Sequence, residues 1–202
     1  MSIAANQLME ADEFLLWCLN QDGRFELVDG VPVQIDLMAG ASGTHDCIVN
    51  NLIISLGTQL ADQPCRTTTA DTALRTRIRT VRRPDMMVTC DPPRGDVFEA
   101  LQPRLAVEVL SKSNVGVPWA RKLDEYRRHK VLDYILLIDS TLVAVTLYER
   151  TAGGWEPTNA DRMADAIELP KIGCRLSLFE IYKRTGLNES PLLESDLTVP
   201  AS

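Results

Sequence analysis

Glu108 is the one charged residue in the run Leu105-Ala106-Val107-Glu108-Val109-Leu110. A short continuous apolar run of this kind reads as a strand covered on both faces. A carboxylate buried there without a partner costs several kcal/mol. It therefore needs an arginine, a solvent-facing side, or a role in chemistry, and we favour the last: a metal ligand or catalytic carboxylate at a strand end. Asp85 opens a second run, Asp85-Met86-Met87-Val88, directly after Pro84. Taken alone, an aspartate at that position reads as a turn residue. Two carboxylates from neighbouring strands make a hard oxygen site. Mg²⁺ typically takes one or two carboxylates and keeps waters and substrate phosphate oxygens, and Mn²⁺ is the alternative ion. The cation also removes the like-charge penalty between the two acids. A lysine nearby can meet the charge that develops on a phosphoryl group, or orient the attacking water.

Several elements must position these groups. Met9 to Leu19 reads as a helix, with Leu8, Phe14, Leu15, Cys18 and Leu19 at helical spacing. Residues 24–28 and 31–35 read as a hairpin around Asp29-Gly30, and Pro32 places the return strand at an edge or at its start. Gly40 to Gly43 is a loop, and Thr44 is a plausible cap for a helix to about Leu60 with Ile48, Leu52, Leu56 and Leu60 on one stripe. Strands are expected at 72–78, 85–89, 105–110, 134–138 and 143–148, a short one at 167–169, and a last short element at 177–183. Residues 117–130 read as a helix with Pro118 near its first turn. Strand 105–110, helix 117–130 and strand 134–138 form a right-handed crossover candidate. Antiparallel strands precede it and a hairpin follows. The expected class is mixed α/β, a central mixed sheet flanked by helices. One domain over residues 1–187 is expected, with a loose tail from 188 to 202 that carries Pro191 and Pro200.

Composition narrows the function classes. The 202 residues are 45% hydrophobic and 24% charged, which excludes a wholly disordered chain. No stretch approaches the length of a membrane span, and the acidic N-terminus (Glu10, Asp12, Glu13) is not a secretory signal. Five cysteines, none spaced C-x-x-C, exclude a zinc ribbon and point to a reduced cytoplasm. The net charge of −7 argues at first sight against nucleic acid. Residues 66–130, however, hold 14 of the 21 Lys+Arg and only 8 of the 28 Asp+Glu. Two readings of this basic stretch stay open: a solvated surface with local ion pairs, or a phosphate-contacting face. Arg75, Arg77 and Arg79 alternate, so on one strand they share a face.

The order of the motifs carries a resemblance. Arg83-Pro84-Asp85, then Val107-Glu108-Val109-Leu110-Ser111-Lys112-Ser113, then Lys122 and Tyr126 on a helix, then residues 133–139 (Asp-Tyr-Ile-Leu-Leu-Ile-Asp), is similar to the Uma-two family of restriction endonucleases. Residues 24–30 and the loop Ser42-Gly43-Thr44-His45 resemble that family's N-terminal signatures. The resemblance runs from about Met9 to Leu178. It implies the PD-(D/E)XK superfamily: a restriction-endonuclease-like fold, a divalent metal (Mg²⁺ or Mn²⁺) and hydrolysis of phosphodiesters, with DNA the expected nucleic acid. Asp85 matches the family's PD aspartate and Glu108 its acidic strand residue, so these two are the implied metal ligands. In the superfamily a lysine stands two residues after that acid; here Leu110 occupies the position. The Uma-two family shares this departure and has its lysine on the following helix, matching Lys122. The long lysine stem can reach from a helix to a strand end. Tyr126 lies on the same helix face. Lys112 is a second candidate, at a position where family members commonly have proline. Glu26 matches the family's early glutamate, with a cross-strand ion pair as its alternative role. His45 matches a histidine near a helix start, with capping as its alternative.

Ser111 and Ser113 read as helix caps, Asp139 as a turn residue, and residues 127–130 as a wet helix end. Trp17, Trp119 and Trp155 are too scattered to form a base-stacking platform, and Trp119, beside Arg121 and Lys122, is the one worth probing. Two further readings compete with a nuclease. One is a binder of nucleic acid that keeps the nuclease fold without catalysis. The other is an oligomeric interaction protein whose buried acids pair with arginines. A homodimer is compatible with the nuclease, since two sites could cut both strands.

Overall fold

A computed structural model describes residues 8–35, 43–93, 98–111 and 117–188. The chain runs α1 (Ala11–Cys18), β1 (Arg24–Val28), β2 (Val31–Ile35), α2 (Gly43–Gln59), β3 (Arg66–Thr69), β4 (Leu74–Arg77), β5 (Thr80–Arg82), β6 (Met86–Thr89), β7 (Pro103–Leu110) and α3 (Val117–Arg128). It continues with β8 (Tyr134–Asp139), β9 (Val145–Thr151), β10 (Gly154–Ala160), β11 (Ala166–Leu169), a 3₁₀ turn, β12 (Cys174–Ser177) and α4 (Leu178–Ile181). The six-stranded sheet has the order β10-β9-β8-β7-β6-β3, and a four-stranded sheet has the order β2-β1-β5-β4. A two-stranded ribbon, β11-β12, completes the described strands.

Strand β7 is the axis of the molecule. It pairs parallel with β8, through the α3 crossover, and antiparallel with β6. Because side chains alternate along a strand, Leu105, Val107 and Val109 face Ile48, Leu52 and Leu56 of α2, in one core cluster. Ala106 faces the other way, with Leu123 and Tyr126 of α3, in a second. Both faces are covered, as the continuous apolar run predicts. Glu108 follows the register of Ala106, so its carboxylate is aimed at α3. Parity sets Glu108 on the Ala106 face, and the packing of α3 on that face supplies its partners.

The first hairpin forms over the predicted residues, with β2 at a sheet edge. Its tip is a tight turn with Asp29 at φ 50° and Gly30 at φ 87°, the left-handed values that two-residue hairpins need. The Gly30 N–H donates to the Arg79 carbonyl, and the Met9 N–H donates to the Gly30 carbonyl. A Cβ on residue 30 would lie 2.8 Å from the Leu8 Cβ. Glycine is required there both by φ and by close approach. The docked tip fixes α1 and β1 against β5, with Phe14, Leu27 and Val81 as a third core cluster.

Several expectations are corrected. Strands β3 and β10 are the two edges of the large sheet. Edge strands show little hydrophobic periodicity, and Pro157 further disguises β10. Strand β5 is three residues long and β12 belongs to the two-stranded ribbon, so neither carries a strong pattern. Arg75, Arg77 and Arg79 do not share a strand face: the β4–β5 register shifts between Arg75 and Arg77, and Arg79 lies in the turn before β5. Arg75 pairs with Asp12 and Glu99, Arg79 with Glu10, Arg104 with Asp133 and Arg121 with Asp29. Much of the basic stretch is thus met by carboxylates, several of them from the acidic remainder. The cysteine reading is also corrected. The β3–β6 pairing sets Arg66 opposite Thr89, and one position beyond it Cys65 and Cys90 are joined by a disulfide. The odd count concealed a cross-strand pair; Cys18, Cys47 and Cys174 are free thiols. Among the described residues no helix is long and apolar enough to cross a membrane. Lys112, Ser113, the loop 40–42 and the tail from 189 lie outside the described residues.

Candidate active site

Six of the seven singled-out residues converge at one place. The Lys122 ammonium lies 2.7 Å from Glu108 Oε1 and 3.2 Å from Glu26 Oε1. The Tyr126 hydroxyl donates to Glu108 Oε1 at 2.6 Å. Both contacts on Glu108 fall on the same oxygen. Lys122 and Tyr126 are one helical turn apart on α3, so they reach the same strand residue together. Asp85 precedes β6, and its Oδ2 accepts the Val109 N–H at 2.7 Å, which locks it beside the end of β7. Its other oxygen, Oδ1, is 3.4 Å from His45 Nε2 in the first turn of α2. Lys112 is the seventh residue, outside the described residues.

Two buried acids, Glu26 and Glu108, meet the partly exposed Lys122, and the buried Arg82 stands on the other side of Glu26. Burial raises Glu108, Lys122 pulls it down and Asp85 pushes it up again, leaving it at about 7. Burial would lower Lys122, but Glu108 and Glu26 outweigh it and keep the ammonium charged. Burial would raise Glu26, yet Lys122 and Arg82 hold it below the usual carboxylate value. Burial and the adjacent Glu108 push the Tyr126 phenol well above its ordinary value, so it remains an O–H donor. A carboxylate raised this far by burial and a neighbouring acid is poised to take up positive charge.

The hydrogen bond to Asp85 raises His45, against its own burial. Burial lowers His129, the other histidine, with Arg150 adding to the effect. The two imidazoles are therefore expected to titrate on opposite sides of the ordinary value, His45 above and His129 below, by NMR. The His45–Asp85 pair then contributes stability below the unfolded pKa of His45, and this is lost as pH rises through the folded one. Asp85→Asn should return His45 toward its ordinary value; an unmoved His45 in that variant would show that Asp85 does not hold it.

Among the described residues no three His, Cys, Asp or Glu side chains form a ready-made cage. Two carboxylates fit a hard, partly hydrated ion such as Mg²⁺, which completes its shell with water and substrate oxygens. They do not fit a structural zinc. A groove of about 550 Å³ opens elsewhere, beside α1, lined by Leu15, Leu16, Cys18, Leu19 and Phe98 among others; Glu26, Asp85, Glu108 and Lys122 are absent from its wall.

Two buried participants were not foreseen. Arg82 donates from Nε and Nη2 to both oxygens of Glu125 and from Nη1 to Glu26. Glu125 shares the α3 face of Lys122 at a spacing of three, which is the signal that could have found it. Asp139 is a turn residue as read, its Oδ1 accepting the N–H groups of Thr141 and Leu142. Trp119 packs half-buried against the α3 core.

A mixed sheet with helices on both faces, and acid, acid and lysine meeting at the ends of β6 and β7, defines a restriction-endonuclease-like fold. The comparisons agree. The Uma2 family profile, described as "Putative restriction endonuclease", matches residues 11–178, and the chain belongs to this family. Two relatives come from Synechocystis sp. (strain ATCC 27184 / PCC 6803 / Kazusa). "Uncharacterized protein slr1290" is 30% identical over 178 residues, 87% of this chain and 92% of that one. "Uncharacterized protein sll1609" is 27% identical over 154 residues, 74% of this chain and 85% of that one. A crystal structure titled as a putative nuclease belonging to DUF820, from Anabaena variabilis ATCC 29413, superposes with a TM-score of 0.66 at 17% identity. It covers 86% of this chain and 97% of its own.

Proposed function

We propose that the protein is a Mg²⁺-dependent endonuclease that hydrolyses phosphodiester bonds of DNA. The observation that carries the reading is the meeting of Lys122 with Glu108 at 2.7 Å, from a helix rather than from the strand. It restores the acid–lysine pairing that Leu110 leaves open in the strand. Asp85 and Glu108 would hold the cation. When bound, the ion would supply Lewis-acid charge to the phosphate and to the attacking water.

The chain's own residues do the rest. The Lys122 ammonium stands where negative charge grows on the phosphoryl oxygens and can also orient the water. Tyr126 fixes the Glu108 carboxylate through one oxygen. His45 is within reach of Asp85 and offers a second positive group at the rim. Two copies of the chain would provide one site per strand of a duplex. A cytoplasmic location is part of the same reading, and there the Cys65–Cys90 pair would meet reducing conditions.

The acid-rich balance of the site and the self-paired arginines favour weak general affinity for duplex DNA. Binding selectivity would then come from a preferred substrate structure or from a partner. The test is calorimetric titration of Mg²⁺ and Mn²⁺ into the wild type, with cleavage assays on plasmid and single-stranded DNA and on RNA. Metal binding with DNA cleavage is the expected result. Absence of metal binding would return Asp85 and Glu108 to structural roles and leave the binder or oligomer readings.

A further inference from the structure

We propose that Arg82 and Glu125 are a positioning pair that holds Glu26, and through it the Lys122 ammonium, in place against Glu108. The proposal rests on the hydrolytic reading above for its consequence in catalysis, and on geometry alone for its structural content. The contacts form a closed ring. Glu26 Oε2 accepts from Arg82 at 2.8 Å. Glu26 Oε1 accepts the Arg83 N–H at 3.0 Å and faces Lys122 at 3.2 Å. Arg82 grips both oxygens of Glu125 at 2.7 and 3.0 Å. Glu125 and Lys122 are three residues apart on α3, so the helix backbone closes the ring.

Each link restricts a direction as well as a distance. The guanidinium is a rigid planar fork, and here it engages two acids at once. The three side chains are shielded: Arg82 is 8% exposed, Glu26 10% and Glu125 0%. Buried ion pairs are weak evidence for stability, because desolvation offsets their attraction. What this ring does supply is registry. Glu26 and Arg82 belong to the four-stranded sheet and Glu108 to the six-stranded one. Helix α3 touches both, through Glu125 on one side, Tyr126 on the other and Lys122 on both. The ring therefore sets where the ammonium stands relative to a carboxylate of the other sheet. Outer partners of this kind typically matter 10–100-fold in affinity or activity.

The test reads the ammonium directly. Lys122 is one of five lysines, and its hydrogen-bonded, shielded ammonium should give a slowly exchanging ¹H–¹⁵N signal, assigned by its loss in Lys122→Met. In Glu125→Gln and in Arg82→Lys we expect that signal to shift and broaden into fast exchange while the fold persists. With Mg²⁺ and DNA, kcat should fall about 10- to 100-fold with KM little changed. Arg175→Gln, which breaks an exposed pair with Glu168, is the control expected to match wild type in every readout. A Lys122 signal unchanged in both network variants overturns the proposal, whatever happens to their melting temperatures. If only one variant folds, that one decides; if neither folds, the ring is structural and the proposal falls. A wild type that cuts no nucleic acid defeats the nuclease reading, while the ammonium signal still decides the positioning claim.

Discussion

Glu108→Gln protein is expected to fold as the wild type does and to lose Mg²⁺-stimulated DNA cleavage by on the order of 10²–10³-fold or more. The substitution keeps the side chain's shape and its acceptor oxygen for Tyr126, and removes the negative charge that faces Lys122. Lys122 keeps Glu26 as a counter-charge, so no cation is left unpaired in the interior, the situation that would cost 3–5 kcal/mol as a rough range. Asp85→Asn should behave in the same way. Asparagine is the proper probe there, because the Asp85 carboxylate also accepts the Val109 N–H. Alanine would leave that donor orphaned and confuse a structural loss of about 1–3 kcal/mol with a catalytic one. Cleavage by either variant at the wild-type rate, with its melting curve intact, would remove Asp85 and Glu108 from the mechanism.

The second large effect is on stability. Metal-free protein should lose stability as pH rises from about 4.5 to above 7, and Mg²⁺ should restore it. The sign follows from Glu108. Its folded pKa is raised from 4.5 to about 7 by burial, so between those values the folded state binds more protons than the unfolded state. Stability then falls with increasing pH. For a fully buried group the shift corresponds to roughly 3 kcal/mol, or about 6–12 °C in Tm for a chain of this size. His45, whose pKa is also raised, contributes in the same direction. Glu26 works in the opposite direction only at lower pH, because its own pKa is depressed, and His129, lowered by burial, opposes the slope in the acidic part of the window and no longer does so above 6.5. Differential scanning calorimetry of chelator-treated protein across this range tests it. Glu108→Gln should flatten most of the slope, and Mg²⁺ should flatten it in the wild type. A slope that survives Glu108→Gln unchanged would show that another group carries the linkage.

Asp85 and Glu108 were legible because each interrupts or opens an apolar strand, where a charge is expensive and so informative. Lys122 and Tyr126 were legible only through the motif order, since a lysine and a tyrosine on an amphipathic helix carry no signal by themselves. Arg82 was hidden: in sequence it is one arginine of a basic stretch, and nothing local separates it from Arg79 or Arg83. Cys65 and Cys90 were hidden for a similar reason, since their pairing depends on the antiparallel register of β3 on β6.

The first hairpin, the stripe of α2, the covered strands β7 and β8 with the crossover between them, and the parity that sets Glu108 opposite Val107 and Val109 are all written in the sequence. These follow from periods of 2 and 3.6 and from turn residues, which are local properties of the chain. Which base meets which acid is set by the way the elements pack. Tyr126 reaches Glu108 across 18 positions, Arg82 reaches Glu125 across 43 and Glu26 across 56. Such partners are chosen by strand order and by the packing of α3 between two sheets, and electrostatic attraction between them depends on distance in space, which no local pattern encodes.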